Sequence, residues 1–191
     1  SLVLAILLCG CGSVLGTDTV KNPGASVSSG ASVSEGQELT PLTQDEISWF
    51  NDEFFNGEYI NMHNQFLSSV YDKPQDIDLF ELFYCGTPDN QNSFPSQEEK
   101  DKVVAAASMI SEPDCMCQKN TTADMNAVLQ ANMGITLDET NKVGLDKFTY
   151  LSEYDAYYYF HGDTNYVLQY TMDSGFRAKN GDVYLYYKAL T

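Results

Sequence analysis

The residues best suited to chemistry fall in one stretch, Tyr154 to Tyr166, which reads Tyr-Asp-Ala-Tyr-Tyr-Tyr-Phe-His-Gly-Asp-Thr-Asn-Tyr. His161 and Asp163 place an imidazole and a carboxylate two residues apart, and Tyr157, Tyr158, Tyr159 and Tyr166 flank them with rings that carry hydroxyls. Tyrosine has an apolar body and a polar tip, so such a platform suits a sugar, a peptide or another small ligand. Side chains alternate along an extended strand, which puts Tyr157, Tyr159 and His161 on one face and Tyr158 and Phe160 on the other. Phe160 has no polar group to satisfy and is the expected buried marker, leaving Tyr157, Tyr159 and His161 accessible with Asp163 at their rim. The competing expectation is that alternate tyrosines fill the core while Gly162-Asp163-Thr164-Asn165 simply makes a turn.

A second chemistry needs a thiol. Outside the N-terminal leader the cysteines are Cys85, Cys115 and Cys117. Cys115 and Cys117 are too close in sequence for an easy disulfide, so Cys85 is expected to bridge to one of them, with Cys117 the chosen partner. In a catalytic alternative, Cys85 is the nucleophile of a small extracellular hydrolase, His161 its base and Asp163 the orienting group. Against it, a strand places Asp163 on the same face as His161 without aiming its carboxylate at the ring. Phosphate-binding glycine loops, the Gly-x-Ser-x-Gly elbow, His-Glu-x-x-His and paired Cys-x-x-Cys motifs are absent. Asp72, Asp76 and Asp78, like Glu98, Glu99 and Asp101, crowd expected helix starts, where the helix dipole alone favours carboxylates. These clusters lack the twelve-residue calcium loop, so neither metal nor cofactor is expected.

The charge narrows the partners. Against 27 acidic residues stand 10 lysines and arginines, a formal net charge of −17. Such a chain repels phosphate backbones, which excludes nucleic acid as a partner. At 191 residues there is room for one ordinary domain beyond a leader and a tether.

The elements that would hold these residues can be read from caps and periodicity. Thr43-Gln-Asp-Glu46 and Ser96-Gln-Glu-Glu99 are capping boxes that open helices, and Thr136-Leu-Asp-Glu139 opens a shorter turn. Ile47, Phe50, Phe54 and Phe55 recur at helical spacing up to Gly57. Met62, Phe66, Leu67 and Val70 make a second stripe, and Ile77, Phe80, Phe83 and Tyr84 a third that ends at Gly86. Another helix runs from about Thr122 to Gly134. From Tyr154 to His161 and from Tyr166 to Met172 the aromatic and β-branched content predicts strands, and Asn180-Gly181 predicts a type I′ hairpin. Helices first and strands after make an α+β fold, with N-terminal helices packed on a C-terminal antiparallel β-meander. That order resembles the cone-shaped folds typified by nuclear transport factor 2.

The first residues carry a different message. Leu2 to Leu8 is an uncharged apolar run too short to span a bilayer, followed by Leu8-Cys9-Gly10-Cys11. This resembles the lipobox of bacterial lipoproteins, an aliphatic residue three places before a cysteine with small residues between, and Cys11 is the matching cysteine. The resemblance implies cleavage before Cys11 and diacylglyceryl transfer to its thiol, the two acyl chains that stable anchoring requires. Residues 1–10 are then a signal peptide, expected to extend before Ser1 because no initiating Met or basic segment precedes the run. Residues 11–40, rich in Ser and Gly and without aromatics, read as a flexible tether reaching roughly 30 Å. Residues 41–191 read as a single α+β domain, with further strands expected beyond Thr191. Within it, Ile47-Ser-Trp-Phe-Asn-Asp-Glu-Phe-Phe55 and Gly134-Ile-Thr-Leu-Asp-Glu-Thr-Asn-Lys-Val-Gly144 resemble exported proteins of anaerobic Gram-positive bacteria, a likeness that supplies no catalytic residue. The expected role is a lipid-anchored, non-enzymatic domain on the extracytoplasmic face of the membrane, binding a small molecule, sugar, peptide or envelope protein.

Overall fold

The structure, a computed structural model, describes residues 38–55, 62–87, 94–162 and 170–189. Cys11, Gly57, Asp163, Tyr166 and most of the expected tether lie outside the described residues. The fold is α+β, with helices and two antiparallel three-stranded sheets. The chain divides into two compact units, Ser1–Gly57 with Gln169–Thr191, and Glu58–Leu168.

The first unit contains strand β1 (Leu39–Pro41), helix α1 (Gln44–Phe50) and the hairpin β5 (Tyr170–Ala178) and β6 (Val183–Ala189), in the sheet order β1-β5-β6. Helix α1 starts where its capping box predicts: the Thr43 hydroxyl accepts from Glu46 N–H, and the Glu46 carboxylate accepts from Thr43 N–H at 2.8 Å. It runs on as a π-helix, Asn51–Phe55, that buries Phe54 and Phe55. Asn51 turns its amide onto strand β5, donating to the Met172 carbonyl at 2.7 Å and accepting from Met172 N–H at 2.8 Å. The side chain thereby stands in for a neighbouring strand where the β5–β6 register slips between Met172 and Ser174. Paired backbone begins at Leu39, two residues before the boundary drawn at 41, because β1 pairs with Arg177 and its neighbours.

The Asn180-Gly181 hairpin forms with a different turn. Gly181 has φ +95°, whereas Asn180 does not enter the left-handed region. Gly181 N–H bonds to the Ala178 carbonyl and Ala178 N–H to the Asp182 carbonyl, the pattern of a type I turn closed by a glycine bulge rather than type I′.

The second unit holds α2 (Met62–Gln65), α3 (Leu79–Phe83), α4 (Gln97–Ala106), β2 (Met116–Thr121), α5 (Thr122–Met133), β3 (Thr149–Leu151) and β4 (Ala156–His161). Its sheet order is β2-β4-β3, with β4 central. The final strands therefore belong to two sheets, not to one continuous meander. The main core joins Ile77, Leu79, Leu82 and Phe83 around α3 to Met125 and Leu129 of α5 and to Phe148. Helix α2 is shorter than its apolar stripe, and Val70 is 64% exposed. The Ser68 hydroxyl donates to the Gln65 carbonyl at 2.6 Å, offering the backbone an alternative to another helical turn. Helix α5 ends as expected, with Gly134 at φ +69° donating to the Gln130 carbonyl.

Candidate functional site

Strand β4 carries Tyr157, Tyr159 and His161 of the expected site and is covered on both faces. Ala156 and Tyr158 pack with Val103 of α4 and Cys117 of β2, with Phe160 half-buried against them. Tyr158 is 0% exposed, so it, and not Phe160, marks the buried face. Its hydroxyl is satisfied there, donating to Glu99 Oε1 at 2.8 Å, which is why a tyrosine takes the position expected of the phenylalanine.

Tyr157, Tyr159 and His161 do share the opposite face, all half-buried. The middle of that face is filled by rings: Tyr159 meets Phe80 edge-on at 4.8 Å, Tyr84 at 5.5 Å and Phe148 at 6.1 Å. Tyr159 is thus part of a packed aromatic ladder, and Tyr157 and His161 stand at its two ends. At the His161 end, Tyr84 lies 5.1 Å from the imidazole. His161 Nδ1 is 3.1 Å from the Gly162 carbonyl, and Nε2 is shielded with no hydrogen-bond partner among the described residues.

The Tyr157 end is built more elaborately, from residues the strand pattern did not single out. Tyr150 of β3 lies against Tyr157 with ring centroids 4.7 Å apart, and 45% of Tyr150 is exposed. The Tyr150 hydroxyl donates to Asp155 Oδ1 at 2.8 Å, and the Thr122 hydroxyl donates to the same oxygen at 2.7 Å. Thr122 N–H also bonds to the Asp155 carbonyl, which holds Asp155 at φ +45° in the β3–β4 turn. Asparagine and aspartate tolerate that region better than other side chains, and residues held there concentrate at functional sites. The hydrogen bonds from Thr122 and Tyr150 lower the Asp155 pKa, so its carboxylate stays ionised. Burial, with Asp155 and Asp138 nearby, raises the Tyr157 hydroxyl. One signal did point here: an Asp immediately before an aromatic strand, after a short Thr-Tyr-Leu run. The Thr122 contact, 33 residues away, had none.

The thiols do not form the expected arrangements. Cys85, Cys115 and Cys117 are free. Alternation along β2 explains why Cys85 and Cys117 stay apart. Gln118 and Asn120 face the α3 side, where Asn120 donates to the Phe83 carbonyl and Gly86, at φ +90°, leaves only 2.4 Å between its missing Cβ and Gln118 Nε2. Cys117 points the other way into the α4 cluster, so the sheet separates it from the segment that carries Cys85. Burial, aided by Glu81, raises the Cys85 thiol, and burial pushes Cys117 up to about 12. Both are held protonated, the opposite of an activated nucleophile. A brief iodoacetamide pulse on the folded protein is expected to modify Cys115 well before Cys117, as read by peptide mass mapping; equal rates would contradict the burial of Cys117.

Among the described residues no group of three or more His, Cys, Asp or Glu side chains could hold a metal ion, and no helix is long and apolar enough to cross a membrane. Comparison with protein-family models, with curated proteins and with solved structures finds no match to this chain.

Proposed function

We propose that the chain is a membrane-anchored lipoprotein of the extracytoplasmic face, held by lipid on Cys11, whose folded part binds a ligand or partner without transforming it. The observation that carries the binding half is the Tyr150–Tyr157 pair beside Asp155: an exposed ring, fixed by a neighbouring ring, next to an ionised carboxylate that two hydroxyls hold in place. Such preorganised amphipathic surfaces bind with little loss of side-chain freedom. Against the hydrolase alternative stand the protonated thiols of Cys85 and Cys117, and an imidazole whose described contacts are a tyrosine ring and its own neighbour's carbonyl.

The anchoring half rests on Leu8-Cys9-Gly10-Cys11. In a bacterial host expressing the gene with its full leader, the wild-type protein is expected in the membrane fraction, partitioning into detergent. Cys11→Ala should leave an unprocessed precursor or release the protein from that fraction. Unchanged partitioning of the variant would overturn the anchor.

A further inference from the structure

We infer that the Tyr150–Tyr157 end of the ladder takes an arginine side chain presented by a basic peptide or protein segment, an assignment that rests on the binding reading above. The hydrogen bonds around Asp155 favour one ligand class. The Tyr150 and Thr122 hydroxyls both spend their hydrogens on Asp155 Oδ1, and Asp155 Oδ2 has no partner among the described residues. The three groups therefore offer an outside ligand lone pairs and a negative charge, and no donor. A neutral sugar hydroxyl brings an acceptor with every donor and finds no donor to match it among these three groups; only the Tyr157 hydroxyl beside them keeps its hydrogen. A guanidinium carries donors alone, is always charged, and is planar, so it stacks on the exposed face of Tyr150 while two of its N–H groups reach the carboxylate. Lysine offers the charge without the plane.

The surroundings favour the same class. No cation of the chain pairs with Asp155 among the described residues, since Lys142 binds Asp138 and the Leu137 carbonyl, and Lys102 and Lys119 lie over Tyr154. The chain's single arginine, Arg177, is paired with Glu46. A net charge of −17 draws basic segments toward the protein before any contact forms.

The test titrates the folded protein with a short oligo-arginine peptide with blocked termini, a matched oligo-lysine peptide and a neutral oligosaccharide, by calorimetry. Oligo-arginine is expected to bind, more weakly as salt is raised, and more tightly than oligo-lysine. Asp155→Asn keeps the turn conformation and an acceptor for Thr122 and Tyr150 but removes the charge, and should weaken binding about tenfold. Tyr150→Ala, at an exposed position, should weaken it about fivefold. Thermal melts confirm that both variants fold. Absence of oligo-arginine binding, equal binding of oligo-lysine, or indifference to both substitutions would overturn the assignment. Binding of the oligosaccharide that is lost in Tyr150→Ala would also overturn it while leaving the binding reading intact. Turnover of a probe that His161→Ala abolishes would instead strike the reading itself.

Discussion

Glu99→Ala is expected to destabilise the folded chain by about 3–5 kcal/mol, the range for breaking a buried pair from one side. Glu99 closes the capping box of α4, its carboxylate accepting from Ser96 N–H at 2.8 Å. It also receives Lys119 Nζ at 2.6 Å and the Tyr158 hydroxyl at 2.8 Å, and is 7% exposed. Removing it leaves the half-buried Lys119 without its counter-charge and a fully buried tyrosine hydroxyl without an acceptor. The acid branch has a definite sign. Burial raises the Glu99 pKa, but Lys119, Ser96 and Tyr158 together outweigh it and bring the carboxyl down to about 2. A group depressed in the folded state stabilises fully above its unfolded value, near 4.5, and loses that contribution as pH falls toward 2, here roughly 3 kcal/mol. Wild-type stability should therefore drop between about pH 4.5 and 2, and the Glu99→Ala variant should show a smaller drop. Urea titrations at a series of pH values measure both; parallel pH curves for the two proteins would contradict the network.

Phe83→Ala should cost a comparable amount, about 3–5 kcal/mol, for a different reason. The ring is 0% exposed in the core shared by α3, α5 and Phe148, and no polar contact compensates its removal. Its carbonyl accepts from both Gly86 N–H and Asn120 Nδ2, so collapse of the backbone into the cavity is resisted and the void persists. A shift in denaturation midpoint without a change in slope is the expected signature; a cost under about 1 kcal/mol would show that the site relaxes freely.

How much of this was legible in the chain depended on how local the cause was. The boxes at Thr43 and Ser96 close in both directions, and at Thr136 the Glu139 carboxylate closes one side by accepting from Thr136 N–H at 2.7 Å, because a cap depends on four consecutive residues. Strand β2 was not legible. Met-Cys-Gln-Lys-Asn-Thr lacks the aromatic and β-branched composition of a strand, and two of its polar members are explained by distant partners: buried Asn120 by the Phe83 carbonyl and half-buried Lys119 by Glu99. Strand β1 was hidden for the same reason, since its pairing partner lies more than 130 residues away in β5. Of the site, the shared face of Tyr157, Tyr159 and His161 followed from the strand period alone. What covers Tyr159 and what completes the Tyr157 end did not, because Phe80, Tyr150 and Thr122 reach β4 through tertiary packing and through a left-handed Asp155.

The central claim, a binding domain held outside the membrane by lipid, is tested most directly at the N-terminus. Protein extracted from the membrane fraction is digested and its N-terminal peptide weighed by mass spectrometry. The expected peptide begins at Cys11 and carries the mass of a diacylglyceryl group on the thiol. An unmodified Cys11, or a peptide that continues uncleaved through Leu8 and Cys9 in the membrane-bound protein, would contradict it.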